Sequence, residues 1–244
     1  GMKAASKLGF TRAVLARELS IREITMIKNS SSLELEVFIH GALCYSISGL
    51  CLASSFLGGA SGNRGRCTQV CRRKFNISGT AGYFFSPDDF CALKHLSSLL
   101  KAGVSSLKIE GRMKGPEYVH IVVSAYRKFL DDPEKISEAG EMLINDLGRP
   151  KTSLFLDGLA KNPINPDSPS GTGIKLGEVL ECGDDLLRID CAQEISSGDR
   201  IRIHAKDGFE GMGANVLHAE TVNGILELKL KTPVKCSKGD MVFL

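Results

Sequence analysis

Long apolar runs are missing from this chain: nothing in its 244 residues approaches the eighteen or more consecutive apolar residues that a membrane-spanning helix requires. The N-terminus also lacks the charged, apolar and small-residue order of a secretory signal, and Gly1 ahead of Met2 reads as a remnant of expression. These absences predict a soluble, cytoplasmic protein with no membrane partner. A strong charge imbalance is missing too: the net charge of +3 is too small to mark a nucleic-acid partner, so only its distribution is informative. Hydrolase signatures are equally scarce, with no H-E-x-x-H, no G-x-S-x-G and no conventional pairing of Cys with His.

What is present is cysteine, eight in all. In a reducing cytoplasm these are not expected to form a disulfide framework, so clustered ones read as metal ligands or redox groups. Cys44, Cys51, Cys67 and Cys71 are spaced C-x6-C-x15-C-x3-C, with Cys91 further on. No common zinc-ribbon or ferredoxin spacing fits, and no two paired C-x2-C knuckles occur. Three readings stay open for the group: buried apolar fillers, a structural zinc site, or an iron–sulfur cluster, which thiolate-only ligation from scattered positions favours. Cys182, Cys191 and Cys236 read as core or surface fillers.

The elements around these cysteines read as α/β followed by β. Thr11–Ala16 is a short apolar strand, and Ser20 three residues before Glu23 has capping-box spacing for a helix. Leu33–Ile39 alternates as a second strand, and the cysteines follow in its βα loop. Ser86-Pro87-Asp88-Asp89 predicts a helix running to Gly103, then a third strand, then a helix from Pro116 with Val119, Val122, Val123, Tyr126 and Phe129 on its inner face. Repeated βα units imply a parallel sheet. Only three such units occupy the first ~130 residues, too few for a closed (β/α)₈ barrel of roughly 250, so a small open sheet or part of a barrel is expected. A helix over 133–148 and a Pro, Asn, Ser and Gly-rich segment over 159–173 lead to six short strands, which predict a small β-barrel. Three segments result: a (β/α) domain with the cysteines over 1–132, a helix and linker over 133–170, and a β-barrel over 171–244. "SSGDRIRI" and "SKGDMVFL" resemble each other, which a recurring hairpin turn explains.

Charged residues gather near the same strand ends. Arg64, Arg66, Arg72, Arg73 and Lys74 form a basic loop without acids, suited to an anionic substrate or a nucleic-acid backbone, though a solvated loop explains it as well. Arg17, Glu18, His40, Lys108, Glu110 and Arg112 end strands, and Arg17 with Glu110 or Glu18 with Lys108 is as readily a structural network as a site. His40 by itself reads more readily as a hydrogen-bonded core histidine than as a catalyst.

The signature E-x-F-x-H-G-A-L-C followed by S-G-x-C is met by Glu36, Phe38, His40, Gly41, Ala42, Leu43, Cys44, Ser48, Gly49 and Cys51. With "GRCTQVCRRKF" and "SPDDFCALKHL" it resembles the collagenase-like peptidase family of unassigned catalytic type, the U-thirty-two peptidases, over roughly Leu8 to Asp131. The resemblance implies the C-terminal portion of a TIM-type barrel followed by a small β-barrel domain. It also implies a four-iron four-sulfur cluster on Cys44, Cys51, Cys67 and Cys91, with Cys71 as alternative fourth ligand and zinc as alternative metal. Relatives of this kind support hydroxylation of tRNA, rRNA or a quinone, with a prephenate-like anionic donor implicated. The expected activity is therefore RNA hydroxylation, with a peptidase or an RNA- or partner-binding module as rivals. His40, Glu110 and Arg17 are the candidate catalytic residues, and Arg64, Arg66, Arg72, Arg73, Lys108 and Arg112 the candidates for substrate binding. The family's first βα units are absent, so an open sheet edge covered by a second copy, and little activity in the isolated chain, are expected.

Overall fold

Alternating apolar and acidic residues build the central strand of the first of two units, Gly1–Ser170 and Gly171–Leu244, in this computed structural model. The structure describes residues 1–112, 114–144, 146, 148–158, 162–164, 166, 175–191, 193–205 and 212–244. The Pro, Asn, Ser and Gly-rich segment 159–173 therefore lies outside the described residues except for 162–164 and 166.

In chain order the first unit contains α1 (Met2–Lys7), β1 (Arg12–Val14), α2 (Ile21–Asn29), β2 (Glu34–Ala42) and α3 (Ala53–Gly58). There follow β3 (Phe75–Ile77), β4 (Thr80–Gly82), β5 (Asp89–Cys91), α4 (Leu96–Lys101), β6 (Ser106–Ile109), α5 (Pro116–Asp131), α6 (Ile136–Ile144) and β7 (Lys151–Thr152). The Ser20–Glu23 capping box that starts α2 is formed in both directions. β1 and β6 flank β2 in parallel, the part of the sheet that βα repetition predicts. β5, however, runs antiparallel to the end of β2, and β7 joins β5, so the sheet is mixed and open rather than a run of parallel barrel strands.

The sheet's apolar face, Leu35, Val37 and Ile39 of β2, packs with Leu96 and Leu99 of α4 and with α5. The buried face of α5 is Tyr118, Val122, Ala125, Tyr126 and Phe129. Val119 and Val123 are 41% and 47% exposed, so the helix is turned about one position from the face its valines suggest. Residues 86–95 depart further from expectation, because the helix begins only at Leu96. Asp89 accepts the Arg149 backbone N–H and faces its guanidinium, while Phe90 is buried between β2 and β7. Strand pairing on both sides outweighs the local helix-start pattern, which is worth only about 1 kcal/mol.

The second unit is the expected six-stranded barrel: β8 (Lys175–Cys182), β9 (Leu186–Ile189), β10 (Arg200–His204), β11 (Met212–Val222), β12 (Ile225–Leu230) and β13 (Met241–Phe243). It closes in the order β10-β11-β12-β9-β8-β13. Alternation sets the faces, with Ile201 and Ile203 inside among Leu187, Leu228 and Val242, and Arg200 and Arg202 outside. Gly177 has no room for a side chain, since a Cβ there would lie 1.9 Å from the Asp190 carbonyl oxygen. Both Gly-Asp segments form the same turn, in which the aspartate accepts a backbone N–H at 2.8 Å: Asp199 from Ser196, Asp240 from Ser237. Cys191 is a buried filler, but Cys182 and Cys236 form a disulfide, correcting the reading of those two as fillers. Their separation of 54 residues hid the pairing, which depends on barrel closure.

Candidate functional site

β2 ends in His40-Gly41-Ala42, and glycine is required there by two observations. Gly41 has φ +117°, and a Cβ on it would lie 2.4 Å from the carbonyl oxygen of Glu110. The end of β6 thus presses on the end of β2, and the chain leaves the sheet into a loop that carries Cys44. That loop, α3 and the segment after it surround an apolar cavity of about 400 Å³ lined by Cys44, Cys51, Cys67 and Cys71 with Leu50, Val70 and Phe85 among its walls.

Cys44 and Cys67 sit in unlike surroundings. Burial pushes the Cys44 thiol up; the N–H of Ser46 opposes this, but Cys71, Cys51 and Cys67 raise it further. Burial also acts on Cys67, yet the N–H of Gln69 at 3.3 Å, the Ser54 hydroxyl at 3.7 Å and the Arg112 guanidinium outweigh it and leave the thiol below its usual range. Cys44, whose ionisation its three neighbours disfavour, is a donor that a cationic group would relieve. Among the described residues no three His, Cys, Asp or Glu side chains converge on a single-ion site. One zinc ion needs its four ligands within ~2.3 Å, whereas a multi-iron cluster spreads its thiolates around a larger body.

Cys91 has a different environment. The β2–β5 register sets it opposite His40, and its sulfur lies 3.7 Å from the Tyr126 hydroxyl. His40 is fully buried, its Nε2 2.7 Å from Asp146 Oδ2 and its Nδ1 3.3 Å from the Tyr126 hydroxyl. The Tyr126 hydroxyl donates to the Ile39 carbonyl at 2.6 Å, leaving its oxygen to accept from His40. Burial pulls the His40 pKa down, but Asp146 and Cys91 outweigh it and raise it above its ordinary value. Burial raises the Cys91 thiol, and His40, the Leu93 N–H and Tyr126 bring it net below. The sequence offered no pairing of Cys with His; the sheet makes one. Asp146 also accepts Lys151 at 2.7 Å and the Gly148 N–H at 2.8 Å. Asp146, Lys151 and Arg149 carried no motif in the sequence, and Asp89 and Tyr126 were read there only as a helix-start residue and a helix-face residue; sheet and helix packing bring the five together.

The candidate basic residues separate. Arg72 is buried, donating to Ser86, Pro87 and, at 2.6 Å, the Leu43 carbonyl. It clamps the cysteine loop to the β5 approach, and burial with Arg149 nearby brings its pKa down to about 10. Of the residues expected to bind substrate, Arg72 is thus one whose guanidinium is buried and engaged within the fold. Lys108 pairs with Glu36 at 2.7 Å rather than with Glu18, whose Oε1 accepts the Ser48 N–H and whose buried Oε2 has no hydrogen-bond partner among the described residues. Arg17 does meet Glu110, at 3.6 Å, and lies 4.0 Å over the Phe38 ring. Arg112 donates to the Gly65 carbonyl and so joins β6 to the cysteine loop. Arg64, Arg66 and Arg73 are exposed.

A thiol-lined cavity where a mixed sheet gives way to loops, followed in sequence by a small closed barrel, defines a two-unit α/β plus β protein. Residues 1–162 match the family described as peptidase family U32, and the chain belongs to that family. It is 34% identical over 237 residues to the Escherichia coli 23S rRNA 5-hydroxycytidine C2501 synthase, covering 88% of this chain and 36% of that protein. It is 40% identical over 143 residues to the Bacillus subtilis tRNA hydroxylation protein P1, covering 52% of this chain and 34% of that one. A Porphyromonas gingivalis collagenase is 32% identical over 163 residues, covering 56% and 39%. The chain thus spans little more than a third of the length of these curated relatives. No solved structure matches it. Among the described residues no helix is long and apolar enough to cross a membrane.

Proposed function

We propose that this chain is the cofactor-binding part of a cytoplasmic RNA hydroxylase that uses a four-iron four-sulfur cluster. The observation that carries the reading is the single apolar cavity lined by Cys44, Cys51, Cys67 and Cys71. Two relatives whose names describe hydroxylation of rRNA and tRNA support the substrate class. Cys44, Cys51 and Cys67 are three of the ligands. The fourth comes from Cys71, which lines the same cavity, or from Cys91, whose thiol is biased toward thiolate by His40.

A bound cluster would supply one-electron chemistry at the cavity. The chain's own residues hold and shield it. Arg17 and Arg112 place positive charge beside Cys44 and Cys67, Leu50, Val70 and Phe85 line the cavity with apolar surface, and the His40–Asp146 pair holds the end of β2 from which the cysteine loop departs. The exposed Arg64, Arg66 and Arg73 are left to meet an anionic donor or an RNA backbone at the rim. The parallel β1-β2-β6 core is consistent with part of a (β/α) barrel, and the edge of β1, with Val14 half exposed, suits cover by further strands or a second copy.

Anaerobic reconstitution should give iron and acid-labile sulfide in equal amounts with broad visible absorption, lost in Cys44→Ser. Comparing Cys71→Ser with Cys91→Ser identifies the fourth ligand as the variant that loses the absorption. A chain that takes up no iron refutes the reading. The collagenase relative and the Cys91–His40–Asp146 line favour one rival, a thiol peptidase. Gelatin cleavage by iron-free protein, abolished by His40→Ala, would establish that rival instead.

A further inference from the structure

The barrel unit is built twice over. β8 and β11 carry a bulge at corresponding places, between Val179 and Glu181 and between Val216 and His218. Val179 N donates to the Asp240 carbonyl and Val216 N to the Asp199 carbonyl, both at 2.8 Å. Gly239 N returns to Val179 O and Gly198 N to Val216 O, again both at 2.8 Å. β8-β9-β10 therefore corresponds to β11-β12-β13, Val179 to Val216 and, through the matching hairpin registers, Ile189 to Leu230. Where the fold imposes the same demands twice, a difference in chemistry between corresponding positions is not a demand of the fold.

One such difference stands out. Arg200, Gly213, Ala214, Asn215, Lys231 and Thr232 line a cavity of about 320 Å³. Counting from the matched pairs, the corresponding positions are Met241, Leu176, Gly177, Glu178, Asp190 and Cys191, with two acids and no base. Residues 171–244 hold nine bases against twelve acids, so the positive cavity is local and runs against the unit's balance. Among the described residues neither the Arg200 guanidinium nor the Lys231 ammonium has an ion-pair partner, whereas Arg188 of β9 pairs with Glu181 of β8 and Glu227 of β12. A Cβ at Gly213 would lie 3.3 Å from Arg200 Nη2, so the missing side chain lets the guanidinium lie close against the strand. Arg202 extends the same outward face, and exposed Lys235 and Lys238 follow β12 in the next loop.

We propose that this cavity binds a backbone phosphodiester of the RNA substrate, a second contact remote in sequence from the cysteine loop; it rests on the RNA reading above. A guanidinium fork, an ammonium, an amide and a hydroxyl around one opening supply donors for the non-bridging phosphate oxygens without reading sequence. Cations held apart from acids on an acidic unit add little to stability, whereas each released counterion adds to RNA affinity.

The test is fluorescence-anisotropy binding of a labelled RNA hairpin to the whole chain across a salt series. It compares the unsubstituted chain with Arg200→Ala/Lys231→Ala and with Lys231→Asp, which installs the acid found at the corresponding position. The replaced side chains are exposed, and the variants should melt like the parent. The double variant should bind about tenfold or more weakly for every RNA sequence, with the slope of log affinity against log salt reduced by about 2. Unchanged affinity and slope in a chain that binds RNA would overturn the proposal and leave the RNA reading standing; no RNA binding by the unsubstituted chain would overturn both. Displacement of RNA by inorganic phosphate at matched ionic strength would reassign the cavity to a small phosphate compound and overturn the proposal.

Discussion

Asp146 holds the buried side of the site together, and removing its carboxylate should cost the first unit a measurable part of its stability. The side chain is fully buried and accepts from His40 Nε2 and Lys151 Nζ at 2.7 Å each and from the Gly148 N–H at 2.8 Å. Asp146→Ala leaves all three donors without it. Removing one member of a buried pair costs roughly 3–5 kcal/mol, and Lys151 is exposed enough at 23% to regain water, so about 3 kcal/mol is expected. For a unit of this size that lowers Tm by roughly 6–12 °C. Asp146→Asn keeps the shape and one acceptor and should cost less.

The pH dependence follows from the two shifts. Burial raises Asp146, but His40 and Lys151 bring it net below the usual carboxylate range. Its contribution is therefore complete above about pH 4 and lost as pH falls through the folded value. His40 is raised, so its contribution is complete below about pH 6.5 and lost as pH rises through its folded value. The gap between parent and Asp146→Ala should be widest between those limits and narrower at pH 9. Urea melts of metal-free protein followed by far-UV circular dichroism measure both. A loss under about 1 kcal/mol, or an equal loss at pH 5.5 and pH 9, would refute the account of this pair.

Gly41→Ala should abolish soluble folding of the first unit or cost several kcal/mol, because its Cβ meets the Glu110 carbonyl at 2.4 Å; expression and melting check this. On α5, Val122→Ala should cost roughly 2–3 kcal/mol, while Val123→Ala should stay within about 0.5 kcal/mol, so equal losses would misplace the buried face. Reducing the Cys182–Cys236 link, which closes 54 residues, should destabilise the barrel by about 4 kcal/mol in the chain-entropy account. An unchanged barrel transition in dithiothreitol would contradict that.

Local pattern sufficed wherever one physical cause acted along the chain. The Ser20 cap, the alternation of β2, the helix behind Pro116 and the six barrel strands were all legible because the period of apolar residues reports which face is buried. The motif around His40, Gly41 and Cys44 was legible as well, through the family signature that it matches. Residues 86–91 were misread because their helix-start chemistry is worth less than the two strand partners that residues 89–91 acquire. Charge pairing was half legible: Arg17 with Glu110 follows from strand ends, but Lys108 takes Glu36 because β6 lies beside β2 in a register that no periodicity specifies.

What the sequence by itself determined was the kind and order of the main elements other than residues 86–91, the family, and the presence of five cysteines between residues 44 and 91. Only the tertiary structure decided how those cysteines divide: four around one apolar cavity, and Cys91 against a histidine held by Asp146. It alone closed the Cys182–Cys236 disulfide and exposed the barrel's two unlike halves. The reason is common to all three. Each depends on strand registers that join residues dozens of positions apart, and such a register is set by the packing of whole faces rather than by any property of the residues it brings together.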